Sequence, residues 1–263
     1  MTRYNEAIPI SGGLNCRDLG GHVTCDGRTV KYHKLIRAGH LSELTPIGQQ
    51  QLLDYGVTVD IDLRSSAELE KYPDLIPSGI KFVHFPCLDN DDTESTETVN
   101  ELNKFYSSST RSGYLRMLYV YRKLVINKHS QSAMRQVFAY LLAHGNEETV
   151  LFHCSAGKDR TGLTSWLILF ALGVAPEDVK QDYLLTNKFL VDRLHQRIND
   201  AKQAHLNQNF ISSIHDLSTV QEDYYDQAMT LINYEFGGMN AYLRDIVQLS
   251  DTDIQHLRAT YLE

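Results

Sequence analysis

The chain has 263 residues, 42% of them hydrophobic and 22% charged, with a formal net charge of −8 at pH 7. This apolar content suits one domain with a large core, and the acidic balance excludes a general binder of nucleic acid or anionic membranes. Four cysteines at irregular spacings give no disulfide framework, and no apolar run reaches the ~20 residues of a membrane span or makes a signal core, so a cytoplasmic location is expected.

Taken in chain order, glycine-rich turns at Gly12, Gly13, Gly20 and Gly21 precede strand-like segments around Val30 and Leu35 to Arg37. Thr45 reads as an N-cap with Pro46 at the first helical position, opening a helix that stops near Gly56. Strands are expected at 57–63 and 81–87, with Pro73 and Pro77 breaking the chain between them. Residues 89–146 read as an insertion. It starts with the acidic run DNDDTESTET and continues as a helix carrying Tyr114, Leu118, Tyr121 and Leu124, then a second helix near 134–142. It is either a lid over the site or a helical layer against the sheet, because an apolar stripe serves both.

Thr149 to Phe152 form a short, buried-type strand, and Leu163, Trp166, Leu167, Phe170 and Ala171 recur at helical spacing up to Gly173. A helix then opens at Pro176 and runs with Val179, Tyr183, Leu190, Leu194 and Ile198 on one face. Further helices are expected over about 220–235, past Gly237 and Gly238, and from 252 to the end. The alternation implies an α/β fold in one domain over 1–263, with a central, mostly parallel sheet flanked by helices. Its site lies at the carboxyl ends of the strands.

Between the strand and the helix stands His153-Cys154-Ser155-Ala156-Gly157-Lys158-Asp159-Arg160-Thr161-Gly162. Backbone N–H groups and the positive end of the helix dipole converge there, a setting for an anion. A free cysteine has a pKa of roughly 8.5, which such surroundings and a nearby cation can lower to about 3.5 to 7.5. Cys154 is thus the candidate nucleophile, and Arg160 can hold two phosphoryl oxygens in its planar fork. Ser155, Ala156, Gly157, Lys158, Asp159 and Arg160 form the phosphate cradle, where Ala156 and Gly157 let the backbone approach closely. Thr161 can hydrogen-bond the sulfur, and His153 can orient the loop from the strand end. An ATP-binding loop is excluded because Phe152 replaces its first glycine and Asp159 its magnesium-ligating hydroxyl residue. No CxxC pair or HExxH supports a zinc site, so neither metal nor cofactor is expected.

The loop resembles the cysteine-based tyrosine phosphatase superfamily, His-Cys then five residues then Arg. It is most similar to the bacterial atypical tyrosine and lipid phosphatases with an HCxAGKDRTG loop. Asn15 to Gly21 resembles that family's NxRDLGG segment, Asp62-Leu63-Arg64-Ser65 with Glu68 its DLRSxxE segment, and residues 234–243 (YEFGGMNAYL) its C-terminal glycine-containing junction. The resemblance implies hydrolysis of phosphotyrosine through a cysteinyl-phosphate, with phosphoserine, phosphothreonine and phosphoinositides as further substrates. It also implies that export without an obvious signal is compatible with the family.

The leaving oxygen needs a proton from a carboxylic acid. Asp159, considered for this role in the resembled family, is the first candidate and Asp89 the second. Asp62, beside Arg64, is expected to brace the loop through an ion pair, as is Asp18 beside Arg17. The sole tryptophan is Trp166, so no WPD-type acid loop exists. A lysine at position 158 is similar to phosphoinositide phosphatases, where it can meet a second phosphate; otherwise it adds positive potential for one. Cys16, Cys25 and Cys87 read as structural thiols, and the other histidines form no constellation. The expected partner is a phosphorylated protein or a phosphoinositide, with no nucleic acid and no stable membrane insertion. The rival from another class is a catalytically silent phosphate- or phosphoinositide-binding module, for which the thiol of Cys154 would have no use.

Overall fold

The computed structural model describes residues 6–88 and 99–263. Five strands, β1 (Arg17–Asp18), β2 (Leu35–Ala38), β3 (Val59–Asp62), β4 (Lys81–His84) and β5 (Val150–His153), form one sheet in the order β1-β2-β5-β3-β4. All neighbours are parallel except β1 and β2. The register pairs His153 with Ala38 and Asp62, and Asp62 with His84. The four parallel strands therefore end on one line, and the chain leaving β5 emerges in the middle of it. β5 is buried at every position, as expected of a central strand covered on both faces.

The helices are α1 (Pro46–Tyr55), α2 (Ser66–Lys71), α3 (Val99–Tyr106), α4 (Ser112–Ile126), α5 (Lys128–His144), α6 (Arg160–Leu172), α7 (Pro176–Leu184), α8 (Thr186–Phe189), α9 (Val191–Gln203), α10 (Gln208–Ser218), α11 (Glu222–Phe236), α12 (Met239–Ala241) and α13 (Asp251–Tyr261). A π-helical turn, Tyr242–Ile246, follows α12. Alternation along the strands divides the core. Leu35, Val150 and Phe152 face the larger layer with α4, α5, α6 and α11, while Ile36, Ala38 and Leu151 face a smaller one with Leu52 of α1. Trp166 of α6 is fully buried among Tyr121, Tyr183 and Tyr225.

Local signals behave as the sequence suggests at the first helix: Thr45 accepts a hydrogen bond from the Gly48 N–H at 3.1 Å, and Gly56 closes it with φ 95°. Elsewhere the outcome differs. Val30 makes only an isolated bridge to Leu262. The single helix expected from Pro176 to Ile198 is three pieces, α7, α8 and α9. Helix α10 had no place in the sequence reading. Its Phe210 and Ile214 pack with Leu102, Tyr106 and Ala201 in a third, separate apolar cluster. The buried faces of α4 and α5 belong to the main core, whereas the acidic run 89–98 lies outside the described residues. Among the described residues no helix is long and apolar enough to cross a membrane.

Candidate active site

The loop 154–159 leaves the middle of the sheet and ends at α6, whose first residue is Arg160. Its carbonyls are held from behind by residues far away in sequence. Asn15 donates through Nδ2 to Gly157 O at 2.9 Å and to Ala156 O at 3.2 Å, and Arg37 donates to Gly157 O at 2.9 Å. A peptide unit is planar and trans, so a carbonyl turned outward directs the following N–H inward. The N–H groups of Gly157 and Lys158 are thereby aimed at the anion seat. Gly157 has φ +66°, and a Cβ there would lie 2.5 Å from Ala38 O. Gly157→Ala must push the loop away from β2; a displacement of about 1 Å costs on the order of 10²-fold in rate, to be read in kcat/KM for an aryl phosphate.

Arg160 is 1% exposed, and its fork is set by Glu68. Nη1 donates to Glu68 Oε2 at 2.6 Å and Nη2 to Oε1 at 2.8 Å, while Ser155 Oγ also donates to Oε1. Glu68 is itself fixed by the capping box of α2, accepting from the Ser65 N–H at 3.0 Å and Ser65 Oγ at 2.9 Å. A local helix-start device thus orients a guanidinium 92 residues away. In the sequence Glu68 belongs only to a family-like segment and has no role of its own. The S-x-x-E spacing was the available signal for its rigidity, but not for its partner.

Cys154 is 2% exposed. Burial opposes ionisation of its thiol, yet the charge of Arg160 and the polar groups of Thr161 beside the sulfur draw the pKa below the ordinary thiol value, although the Thr161 hydroxyl closes no hydrogen bond of good geometry. Burial pushes the Cys87 thiol up, and the Cys16 thiol to about 12, in keeping with packing roles. Cys25 is exposed and has no such role.

Beneath the loop, His153 Nε2 lies 3.2 Å from Asp60, 3.3 Å from Asp74 and 3.9 Å from Asp62, although its N–H points squarely at none of them. Burial opposes the imidazolium, but these carboxylates hold the pKa well above the ordinary histidine value. Its Nδ1 is 3.2 Å from Cys154 O, which anchors the backbone of Cys154. Asp62 is bound by Arg64 at 2.9 Å, and Arg64 also pairs with Asp74, so Asp62 braces the site as an ion pair. Asp60, Asp74 and His153 bring three ligand-type atoms within 4.8 Å of one another. Arg64 and His153 set two cationic side chains among the three carboxylates of Asp60, Asp62 and Asp74, an ion-pair network. Asp18 departs from its expected pairing. Adjacent strand residues face opposite ways, so Arg17 meets Asp182 at 3.1 Å, while Asp18 accepts from Gly20 N, His33 N and Tyr55 Oη.

Asp159 is 5% exposed and accepts a 2.7 Å hydrogen bond from Tyr121 Oη at Oδ1, and Tyr183 Oη in turn donates to Tyr121 at 2.8 Å. Among the described residues nothing donates to Oδ2. Asp89 lies outside the described residues. Lys158, 3% exposed, turns its ammonium to the C-terminal end of α10, donating to Leu217 O at 2.7 Å and Thr219 O at 3.2 Å, with Asp159 at 3.6 Å. One histidine the sequence reading set aside stands close by: the His40 N–H donates to Ser155 O at 3.1 Å, and its ring meets Arg193 of α9.

Residues 8–263 match the profile of the tyrosine phosphatase family. A Cupriavidus necator protein that carries a tyrosine-protein phosphatase name is 30% identical over 94% of this chain and 85% of its own length. Triple specificity protein phosphatase PtpB of Mycobacterium tuberculosis is 29% identical over 96% of this chain and 98% of its own. A tyrosine-protein phosphatase of Nostoc commune is 26% identical over 89% and 76%. Agreement along nearly the whole length, with the sheet, loop and arginine arranged as described, shows that the chain belongs to the tyrosine phosphatase family and is a phosphatase.

Proposed function

We propose that the chain hydrolyses phosphotyrosine in two steps at the 154–160 loop, with Cys154 as nucleophile, and that phosphoserine, phosphothreonine and phosphoinositides enter the same site. The observation that carries the reading is a buried thiol shifted toward thiolate beside an arginine whose fork Glu68 presets. In the first step the thiolate attacks phosphorus, the S–P bond forms, and the bond to the leaving oxygen breaks as Asp159 gives that oxygen its proton. The inward N–H groups and Arg160 hold the equatorial oxygens throughout. In the second step water attacks phosphorus, Asp159 takes its proton, and the thiolate leaves with Thr161 supporting its charge. Tyr121, donating to Oδ1, leaves Oδ2 as the oxygen that carries the proton. The mycobacterial relative's name, triple specificity, supports a range wider than phosphotyrosine.

Acid quench during turnover of a peptide labelled on its phosphotyrosine should leave label on Cys154. No label on the protein at any time would overturn the covalent reading. Asp159→Asn should slow aryl phosphates with poor leaving groups about 10²- to 10⁴-fold, the scale of general acid catalysis, and good ones much less. A leaving-group series at fixed pH checks this, since a loss uniform across the series would remove Asp159 from the role.

A further inference from the structure

Helix α9 carries two arginines one turn apart on one face, Arg193 and Arg197. Arg193 Nη1 donates to His40 Nε2 at 3.3 Å, and the His40 ring is fastened on its other side to Ser42 Oγ at 2.8 Å. His40 stays neutral: burial, then the charge of Arg193, lowers its pKa to about 4. Arg197 Nη1 donates to Ser218 Oγ at 2.9 Å, at the end of α10 where Lys158 also docks. Neither arginine makes an ion pair among the described residues. The acid nearest in effect to Arg193 is Glu43, which is exposed.

The other arginines around the site are differently placed, for Arg17 and Arg37 share Asp182, Arg64 has Asp62 and Asp74, and Arg160 has Glu68. In a chain of net charge −8, the half-buried guanidiniums of α9 stand with only neutral acceptors. Two like charges brought together in a partly desolvated place are unfavourable until an anion joins them. Both residues are intermediate in exposure, and Arg197 is the more deeply set of the two. His40, which Arg193 meets, also donates its backbone N–H to Ser155 O at 3.1 Å, and Ser218, which Arg197 meets, lies between the Leu217 and Thr219 carbonyls that hold Lys158, which sets the pair beside the 154–160 loop.

We propose that Arg193 and Arg197 form a second anion subsite, which holds a phosphate on the substrate other than the one being removed, on the ring of a bisphosphorylated inositol headgroup. Two planar forks suit a phosphate dianion, which accepts bidentate bonds and neutralises both charges. The assignment rests on the reading that the phosphoryl group to be removed sits over Cys154. Lys158, tied to the carbonyls of Leu217 and Thr219, is not needed for this second contact.

The test is a binding titration of the full-length Cys154→Ser protein with two short-chain probes, dioctanoyl phosphatidylinositol monophosphate and bisphosphate, each below its micellar concentration. The bisphosphate is expected to bind about tenfold to a hundredfold tighter, the range for charge-assisted bonds to one added group. Adding Arg193→Gln and Arg197→Gln should close that gap. If the double variant unfolds by circular dichroism, Arg197→Gln alone is titrated and should narrow the gap about tenfold. Equal affinity for the two probes, or a gap that survives these changes and disappears in Lys158→Met, would overturn the subsite. A gap shown by a doubly phosphorylated peptide and not by the inositol probes would overturn the inositol assignment. Because the readout is binding to a variant without the nucleophile, absence of turnover in the wild type would count against the phosphatase mechanism alone.

Discussion

Cys154→Ser is expected to reduce hydrolysis of a phosphotyrosine peptide by roughly 10⁴- to 10⁶-fold, the scale on which loss of an enzymic nucleophile acts. The two side chains differ by one atom, so the seat for the phosphoryl group survives. The difference lies in ionisation. Arg160 and Thr161 draw the Cys154 pKa below the ordinary thiol value, whereas the same surroundings leave a serine hydroxyl protonated across the working pH range. The sign of the pH effect follows. Attack requires the thiolate, so kcat/KM rises with pH through the lowered pKa, and the acid limb lies below the roughly 8.5 of a free thiol. The rate of inactivation by iodoacetamide against pH should show the same limb in the wild type, and inorganic phosphate should protect. An alkylation midpoint at the ordinary thiol value would refute the activated state. The variant should still bind phosphopeptide, since Asn15, Arg37 and Glu68 hold the cradle independently of the sulfur.

The second large effect is expected at Arg160→Lys, with a loss on the order of 10³-fold, the lower end of what a transition-state arginine contributes in phosphoryl transfer. Charge is retained, so a merely electrostatic role would predict a small change. The fork is what disappears. Arg160 presents Nη1 and Nη2 together to Glu68, which fixes the guanidinium plane before substrate arrives. A lysine ammonium is a point charge on a flexible stem and makes no bidentate pair. The loss should fall mainly on kcat, because the planar donors match the equatorial oxygens best when phosphorus is trigonal. A change confined to KM would indicate a ground-state binding role instead.

Much of this site was legible before any tertiary contact was known. Thr45-Pro46 and Gly56 bounded α1, and Val150 to His153 and Leu163 to Gly173 bracketed the loop, because capping and short-range periodicity are properties of neighbouring residues. Chain breaks were harder. The apolar face running from Val179 to Ile198 is continuous in sequence, yet α8 and the turns beside it redirect the chain. That redirection brings α9 across the loop with Arg193 and Arg197. Helix α10 has no strong local signal because its buried positions, Phe210, Ser213 and Ile214, are few, and they pack against α3, α4 and α9 instead of the sheet. The pairing of Arg17 with Asp182 could not be read locally either, since its partner is 165 residues away.

The sequence by itself determined where the proposed chemistry lies: ten contiguous residues, HCSAGKDRTG, hold the thiol of Cys154, the small-residue turn and Arg160, and their relative geometry is set by a strand end and a helix start. The tertiary structure decided what each of those residues faces. Parallel register brings the ends of β2, β3 and β5 into line, and burial of the apolar faces then packs Glu68, Tyr121, Asn15 and α9 around the loop. These partners are separated from the loop by tens to more than a hundred residues. Only packing of the core, a property of the whole chain, could choose them, and it turned Lys158 toward α10 and left the arginines of α9 beside the site.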